Sequence, residues 1–110
     1  MKPVIQQEKT GCAIASSAAI AGISYKRAKQ LANSLGISAE DSTLWSSPQP
    51  VRNILNSLNI KTGASETTFK NWQSLPNCAL LAIKWHKENG KSFWHWVVFV
   101  RVSEHEYVLD

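Results

Sequence analysis

The sequence predicts an α+β domain in which N-terminal helices pack on a C-terminal antiparallel sheet. The first half of the chain carries apolar residues at helical spacing, and the second half carries Val-rich stretches typical of strands. Asn89-Gly90, between two of these stretches, predicts a hairpin turn. Helices followed by a hairpin-linked sheet, rather than alternating helices and strands, indicate the α+β class.

The first two predicted helices have recognisable ends. Cys12 to Ala21 is rich in alanine and Gly22 follows it, which predicts a helix with a glycine stop. Ser24 is the expected cap of the second helix, which ends at Gly36. The apolar face of the second helix is expected to comprise Ile23, Ala28, Leu31 and Leu35.

A third helix is expected to begin at Ser47-Pro48, because serine caps helices and proline fits the first turn. The preceding stretch, Ile37 to Trp45, is predicted to be a loop, and a short helical turn is expected from Thr67 or Thr68 to Trp72. The apolar face of the third helix would comprise Val51, Ile54, Leu55 and Leu58.

Three strands are predicted to form an antiparallel meander. They run from Cys78 to Trp85, from Ser92 to Val102, and roughly from Glu106 to Asp110, with a short polar link around Ser103 to His105. Cys78 opens an apolar strand, so we expect it in the core.

The alternation of side chains along the second strand separates its imidazole from its indoles. His95 shares a face with Val97, Phe99 and Arg101, whereas Trp94 and Trp96 lie on the opposite face and are expected to pack in the core. On the last strand, Asp110 shares a face with Glu106 and Val108. An antiparallel pairing can therefore bring the Asp110 carboxylate beside His95.

Length and composition indicate a single globular domain over residues 1–110. The chain is 44% hydrophobic and 18% charged, which is typical of a folded protein and excludes a disordered one. No apolar run is long enough to span a bilayer, and MKPVIQQEKT lacks the apolar core of a secretory leader. These features predict a cytoplasmic location, with the oligomeric state left open.

The charge pattern does not favour nucleic acid as a partner. The net charge is +4, but the basic residues are scattered and form one local cluster, Lys26, Arg27 and Lys29. The two cysteines are expected to be thiols, and the three histidines, among them His86 and His105 in expected exposed loops, lack metal-ligand spacing. We therefore expect neither a metal nor another cofactor.

Four residue types that acyl transfer requires occur in a suitable order. Cys12 begins a helix, whose positive N-terminal end favours thiolate, and His95 can form an ion pair with it. Asp110 can orient the imidazole. An oxyanion needs two donors, which the Cys12 N–H and the amide of Gln6 or Gln7 can supply. Gly11 permits a close backbone approach before the cysteine.

Each of these residues also has an ordinary structural interpretation. A lone cysteine such as Cys12 is more often a small packing residue, and a lone histidine such as His95 on a strand is usually structural. The tryptophans are more often core than cofactor site. A nucleic-acid-binding or partner-binding α+β domain in which Cys12 only packs is the corresponding alternative.

The order of these residues resembles that of the papain-like cysteine peptidases, and most closely the peptidase domain of bacteriocin-processing ABC exporters, which cleave double-glycine leaders. The resemblance rests on QQEKTGCAIAS (Gln6 to Ser16), GISYKRAKQLA (Gly22 to Ala32), HWVVF (His95 to Phe99) and YVLD (Tyr107 to Asp110). These stretches occur in the same order as in the family, and the similarity that they mark extends along essentially the whole chain.

The resemblance implies a papain-like fold and a cysteine peptidase acting on a peptide or protein substrate, with cleavage after small residues such as glycine. It implies Cys12 as nucleophile, His95 as general base and acid, Asp110 as the orienting third member, and Gln6 rather than Gln7 as oxyanion donor. A non-catalytic peptide-binding module of the same fold is the alternative that it leaves open.

Overall fold

The structure is a computed structural model that describes residues 1–8, 10–41, 44, 46–63 and 66–110. In these ranges the chain folds as an α+β domain, with three helices followed by an antiparallel three-stranded sheet, as the sequence predicts. The elements are α1 (Cys12–Ala21), α2 (Tyr25–Ser34), α3 (Gln49–Ser57), a short 3₁₀ helix (Trp72–Ser74), β1 (Cys78–Glu88), β2 (Lys91–Val102) and β3 (His105–Leu109).

Helix α1 is the central element, and its small side chains are buried on all sides. Every residue from Cys12 to Ala19 is buried, so the helix contacts α2, α3 and β2 at once. The two buried hydroxyls are satisfied, since Ser17 donates to the Ala13 carbonyl at 2.7 Å and Ser16 donates to the Trp96 carbonyl at 3.4 Å. The helix ends as predicted at Gly22, which has a φ of 70°.

Helix α2 begins at the predicted cap and turns most of the predicted face to the core. The Ser24 hydroxyl accepts a hydrogen bond from the Arg27 N–H at 3.1 Å. Tyr25, Ala28 and Ala32 are buried, whereas Leu35 lies past the end of the helix and is 42% exposed. The predicted face is thus confirmed at Ala28 and at the partly buried Ile23 and Leu31, and it is wrong at Leu35, because the helix ends at Ser34.

Helix α3 begins one residue later than predicted. Ser47 accepts a hydrogen bond from the Gln49 N–H at 3.3 Å, and the predicted apolar face is buried at Val51, Ile54 and Leu55 and partly buried at Leu58. Before this helix, residues 37–41 form neither α-helix nor strand, as predicted, whereas Ser42, Thr43 and Trp45 of the predicted loop lie outside the described residues.

The helical turn expected from Thr67 or Thr68 to Trp72 is wrong. The described residues 66–71 have no helical structure, and a 3₁₀ helix begins only at Trp72. The reason is a cap at Asn71, whose side chain accepts a hydrogen bond from the Ser74 N–H at 2.8 Å. Capping by asparagine competes effectively with helix continuation through preceding residues.

The sheet is the predicted meander, in the order β1-β2-β3. Val98 pairs with Leu109 across β2 and β3, so Asp110 follows immediately after the last paired residue. Across β1 and β2, Ile83 pairs with His95, and the register then shifts before the next pair, His86 with Phe93. Lys84 has a φ of 55° in this irregularity, which is a β-bulge beside His95.

The central strand β2 is covered on both faces. Trp94 and Trp96 lie in the core cluster with the helices, as predicted, and the Trp96 indole N–H donates to the Leu44 carbonyl at 3.1 Å. On the opposite face Phe99 is 1% exposed and contacts the Trp72 ring, with a centroid separation of 5.6 Å. His95 therefore lies on a strand that is packed against the helices on one face and against Trp72 on the other.

None of the helices in the described part of the chain is long and apolar enough to cross a membrane.

Candidate active site

Cys12 is the first residue of α1. The first hydrogen bond of the helix runs from the Ala15 N–H to the Gly11 carbonyl, so the Cys12 N–H lies among the N-terminal amides that the helix itself does not use. Cys12 is a thiol and is only 2% exposed. Its side chain therefore lies at the positive N-terminal end of α1 and is screened from bulk water.

Gln6 lies in the loop that enters α1. Its side-chain amide donates to the Glu8 carbonyl at 3.0 Å, and the Gly11 N–H donates to the same carbonyl at 3.0 Å. Gln6 is partly buried beside Cys12, whereas Gln7 is exposed. Either glutamine could be the oxyanion donor from its position in the sequence, and Gln6 is the one that lines the same cavity as Cys12.

His95 and Asp110 form a direct pair. His95 Nε2 and Asp110 Oδ1 lie 2.6 Å apart, with exposed side-chain fractions of 24% and 60%. Extending the β2–β3 register by one residue brings Asp110 opposite Val97, diagonally across from His95 on the same face. The predicted proximity of these two residues is therefore confirmed.

A narrow cavity has both Asp110 and the cysteine in its lining. Its walls come from α1, the N-terminal loop and the ends of β2 and β3, and Gln6, Cys12 and Asp110 all line it. The other lining residues are Val4, Ala15, Ser16, Ala19, Trp96, Val98 and Leu109. The structure thus brings three of the four predicted site residues to one cavity, and the fourth, His95, bonds to Asp110 at its edge.

The chemistry available to this arrangement follows from its donors and acceptors. The Asp110 carboxylate occupies His95 Nε2, which leaves Nδ1 as the ring nitrogen for any further proton exchange. The Gln6 amide and the Cys12 N–H are donors on the same cavity. Thiol, imidazole, carboxylate and paired donors are the groups that nucleophilic acyl transfer uses.

The prediction that Cys78 lies in the core is wrong. It is exposed at the start of the edge strand β1, although partial burial of its thiol still raises the pKa of that group. The cause is the sheet order, because an edge strand is covered less completely than the central one. His86 and His105 are exposed as predicted, but they lie on β1 and β3 rather than in loops.

Sequence reasoning missed Glu8, Tyr25 and Lys29, which surround the N-terminal loop. Glu8 accepts a hydrogen bond from the Tyr25 hydroxyl at 3.1 Å and an ion pair from Lys29 at 2.7 Å. Burial, and then the Glu8 carboxylate, raise the pKa of Tyr25 to about 12. The sequence signal for this contact was the glycine at position 11. In the structure, a Cβ at this position would clash with the Tyr25 hydroxyl oxygen.

Across the described ranges, no group of three or more His, Cys, Asp and Glu side chains could hold a metal ion.

Comparison with known proteins identifies no matching family model, no matching curated protein and no matching solved structure.

Proposed function

We propose that the protein is a cysteine peptidase or related thiol acyl hydrolase with a papain-like fold. Cys12 is the nucleophile, His95 the general base and acid, and Asp110 the group that orients the imidazole. The observation that carries the proposal is the 2.6 Å contact between His95 Nε2 and Asp110 Oδ1 at the cavity that Cys12 lines. A thiol nucleophile also fits a reducing compartment such as the cytoplasm.

The proposed reaction has two acyl-transfer steps. The Cys12 thiol gives its proton to His95 Nδ1, and its sulfur bonds to the substrate carbonyl carbon. Collapse of the tetrahedral intermediate breaks the C–N bond, and the imidazolium protonates the leaving amine. Water then gives a proton to His95 and attacks the thioester. Cleavage of the C–S bond releases the acid, and Cys12 regains its proton from the imidazolium.

The negative charge on each tetrahedral intermediate would be stabilised by two donors. The Cys12 N–H is supplied by the start of α1, and the Gln6 side-chain amide by the entering loop. In other acyl-transfer enzymes the loss of one such donor lowers kcat by about 100- to 1000-fold. Gln6→Ala is therefore expected to affect turnover more than substrate binding.

The lining of the cavity favours a small substrate side chain beside the scissile bond. Ala15, Ala19 and Val98 contribute short apolar side chains to the cavity that Cys12 lines. The Trp96 ring is a further part of its lining. This agrees with the resemblance to peptidases that cleave after glycine. Peptides with small residues before the scissile bond are accordingly the proposed substrate class.

The first test measures the alkylation of Cys12 by iodoacetamide as a function of pH, using mass spectrometry. Because Cys12 is 2% exposed, access alters the absolute rate, whereas the pH of half-maximal rate reports thiolate formation. An ordinary thiol reaches half-maximal rate near pH 8.5 and an activated one below about 7. We expect an activated profile that reverts towards the ordinary one in His95→Ala.

Two internal references make this test specific. Cys78 is exposed and should react only in the alkaline range, since burial raises its pKa. His105→Ala removes an exposed imidazole elsewhere on the sheet and should leave the Cys12 profile unchanged. An ordinary Cys12 profile that is the same in wild type and His95→Ala would contradict the proposal.

A non-catalytic peptide-binding module is the second candidate function. The near-complete burial of the Cys12 side chain favours it, since a nucleophile needs access to its substrate. The two functions differ in turnover: a module of this kind would bind Gly-rich peptides with an affinity that Cys12→Ser leaves intact, and would release no acid or amine.

A further inference from the structure

The loop from Gln6 to Gly11 carries one proposed oxyanion donor and leads directly into the other. A side-chain amide can rotate through many orientations, whereas stabilising an oxyanion requires a donor fixed at about 3 Å. The structure therefore has to hold both the Gln6 amide and the backbone before Cys12, and the contacts of Glu8 account for both.

The main-chain carbonyl of Glu8 is shared by two donors. It accepts from the Gln6 side-chain amide at 3.0 Å and from the Gly11 N–H at 3.0 Å. The first bond uses one of the two amide hydrogens of Gln6 and so fixes the direction of the other. The second bond closes the turn immediately before Cys12.

The side chain of Glu8 is tied to helix α2. Its carboxylate accepts from the Tyr25 hydroxyl at 3.1 Å and pairs with the Lys29 ammonium at 2.7 Å. The Glu8 side chain is 13% exposed, so this charge-assisted pair is shielded more than an ordinary surface ion pair. Lys29 also compensates the negative charge of the Glu8 carboxylate.

Tyr25 is held between Glu8 and Gly11. Tyr25 is a buried residue of the core. Its hydroxyl oxygen lies so close to Gly11 that a Cβ at that position would clash with it. Only glycine therefore leaves room for the hydroxyl at this point of the turn. The tyrosine hydroxyl thus bonds to Glu8 and lies close to Gly11, immediately before Cys12.

We infer that Glu8, Tyr25 and Lys29 form a positioning cluster that orients the Gln6 amide towards the oxyanion formed at Cys12. The inference rests on the proposed function and specifies which residues outside the reacting groups position its oxyanion donor. None of the three residues touches the reacting atoms, so all three are positioning residues. They act through Gln6, and this dependence makes their role measurable.

Two variants remove single contacts while keeping the fold. Tyr25→Phe deletes one hydroxyl and retains the buried ring, and Lys29→Met retains the aliphatic stem without the ammonium. The matched controls are Tyr107→Phe, which deletes the other tyrosine hydroxyl, and Lys26→Met, which removes an exposed ammonium from the same helix.

The first readout is independent of turnover. Nuclear magnetic resonance follows hydrogen exchange of the Gln6 side-chain amide, identified by its absence in Gln6→Ala. We expect about tenfold faster exchange in Tyr25→Phe and Lys29→Met, and no change in the two controls. Equal exchange in wild type and both variants would overturn the inference.

The second readout is hydrolysis of the p-nitrophenyl ester of N-acetylglycine. Each variant should lower kcat about tenfold with little change in KM, because the contact matters when the oxyanion forms. In a Gln6→Ala background, neither substitution should lower kcat further. Losses that add fully to that of Gln6→Ala would show an effect through the fold and would overturn the inference.

Failure of the proposed function has a different signature. The wild type would then hydrolyse no ester, and His95→Ala would leave the Cys12 alkylation profile unchanged. The amide-exchange measurement still decides the positioning inference in that case, since it depends only on the contacts of Gln6.

Discussion

Cys12 is subject to two opposing influences on its thiol. Its place at the start of α1 favours the thiolate by about 0.3–1 kcal/mol, whereas burial disfavours any charged form. Because the desolvation of a charge costs several kcal/mol, the helix end alone is insufficient for a buried thiol. In the proposed function, the reactivity of Cys12 therefore depends on an ion-pair partner, which is the role proposed for His95.

In the proposed function, Asp110 would act on His95 through charge and through orientation, and two substitutions separate these effects. Asp110→Asn keeps an oxygen that can accept from His95 Nε2–H but removes the charge, whereas Asp110→Ala removes both. We expect kcat for the glycine ester to fall by about 100-fold in Asp110→Asn and further in Asp110→Ala.

Steady-state kinetics with Glu104→Gln as control checks this order. Glu104 is an exposed carboxylate in the turn before β3, so its neutralisation should leave kcat within about twofold of wild type. Equal activity of wild type and Asp110→Ala would show that Asp110 has no part in the reaction.

At the scale of elements, Arg101 fixes the segment that covers the outer face of the sheet. Its guanidinium donates to the Trp72 carbonyl at 2.7 Å and to the Leu75 carbonyl at 2.9 Å. It also lies over the Phe99 ring, 5.2 Å from the centroid. The segment is thereby held against the strand that carries His95.

Removing this clamp should destabilise the whole domain. Arg101→Met removes charged hydrogen bonds to two carbonyls that water can partly reach, for which we expect a loss of about 1–2 kcal/mol in the free energy of unfolding. Arg101→Lys should recover only part of it, because an ammonium lacks the planar fork. Urea unfolding measures both, with Arg27→Met as an exposed-arginine control expected within about 0.5 kcal/mol of wild type.

The elements differ in how far the sequence could predict them. Periodicity and stop signals predicted α1, the meander and the approach of Asp110 to His95, because all of these depend on local spacing. The β-bulge at Lys84 and the exposure of Cys78 depend on which strand lies at the edge and how neighbours twist. Local spacing contains no information on either.

The candidate site shows the same division. Cys12, His95, Asp110 and Gln6 each have a chemical type that sequence reasoning can select. Glu8 and Tyr25 meet across 17 positions of sequence, and that contact exists only once α2 packs beside the N-terminal loop. A contact made by tertiary packing has no local pattern from which it can be predicted.

At the scale of the whole molecule, the candidate site is divided between the two layers of the domain. The helical layer supplies Cys12 and the loop with Gln6, and the sheet supplies His95 and Asp110. Because the layers meet through α1 and β2, loosening their packing would separate the proposed nucleophile, Cys12, from the proposed base, His95. Activity should therefore be lost before the helices and strands themselves unfold.

Tyr25 links the stability of the whole domain to pH in the alkaline range. Its pKa is raised to about 12, first by burial and then by Glu8, whereas an unfolded tyrosine titrates near 10. The folded protein thus keeps a proton that the unfolded chain releases between these values. The stabilisation is complete below pH 10 and is lost as the pH rises through about 12.

Tyr25→Phe removes this titration and provides the measurement. Urea unfolding at several pH values should show the wild type losing roughly 2–3 kcal/mol relative to Tyr25→Phe between pH 10 and 12. Tyr107→Phe keeps Tyr25 as the remaining tyrosine and should follow the wild-type curve. Parallel curves for wild type and Tyr25→Phe would mean that Glu8 and the core do not hold the Tyr25 proton. The cluster around the N-terminal loop would then be looser than its contact distances indicate.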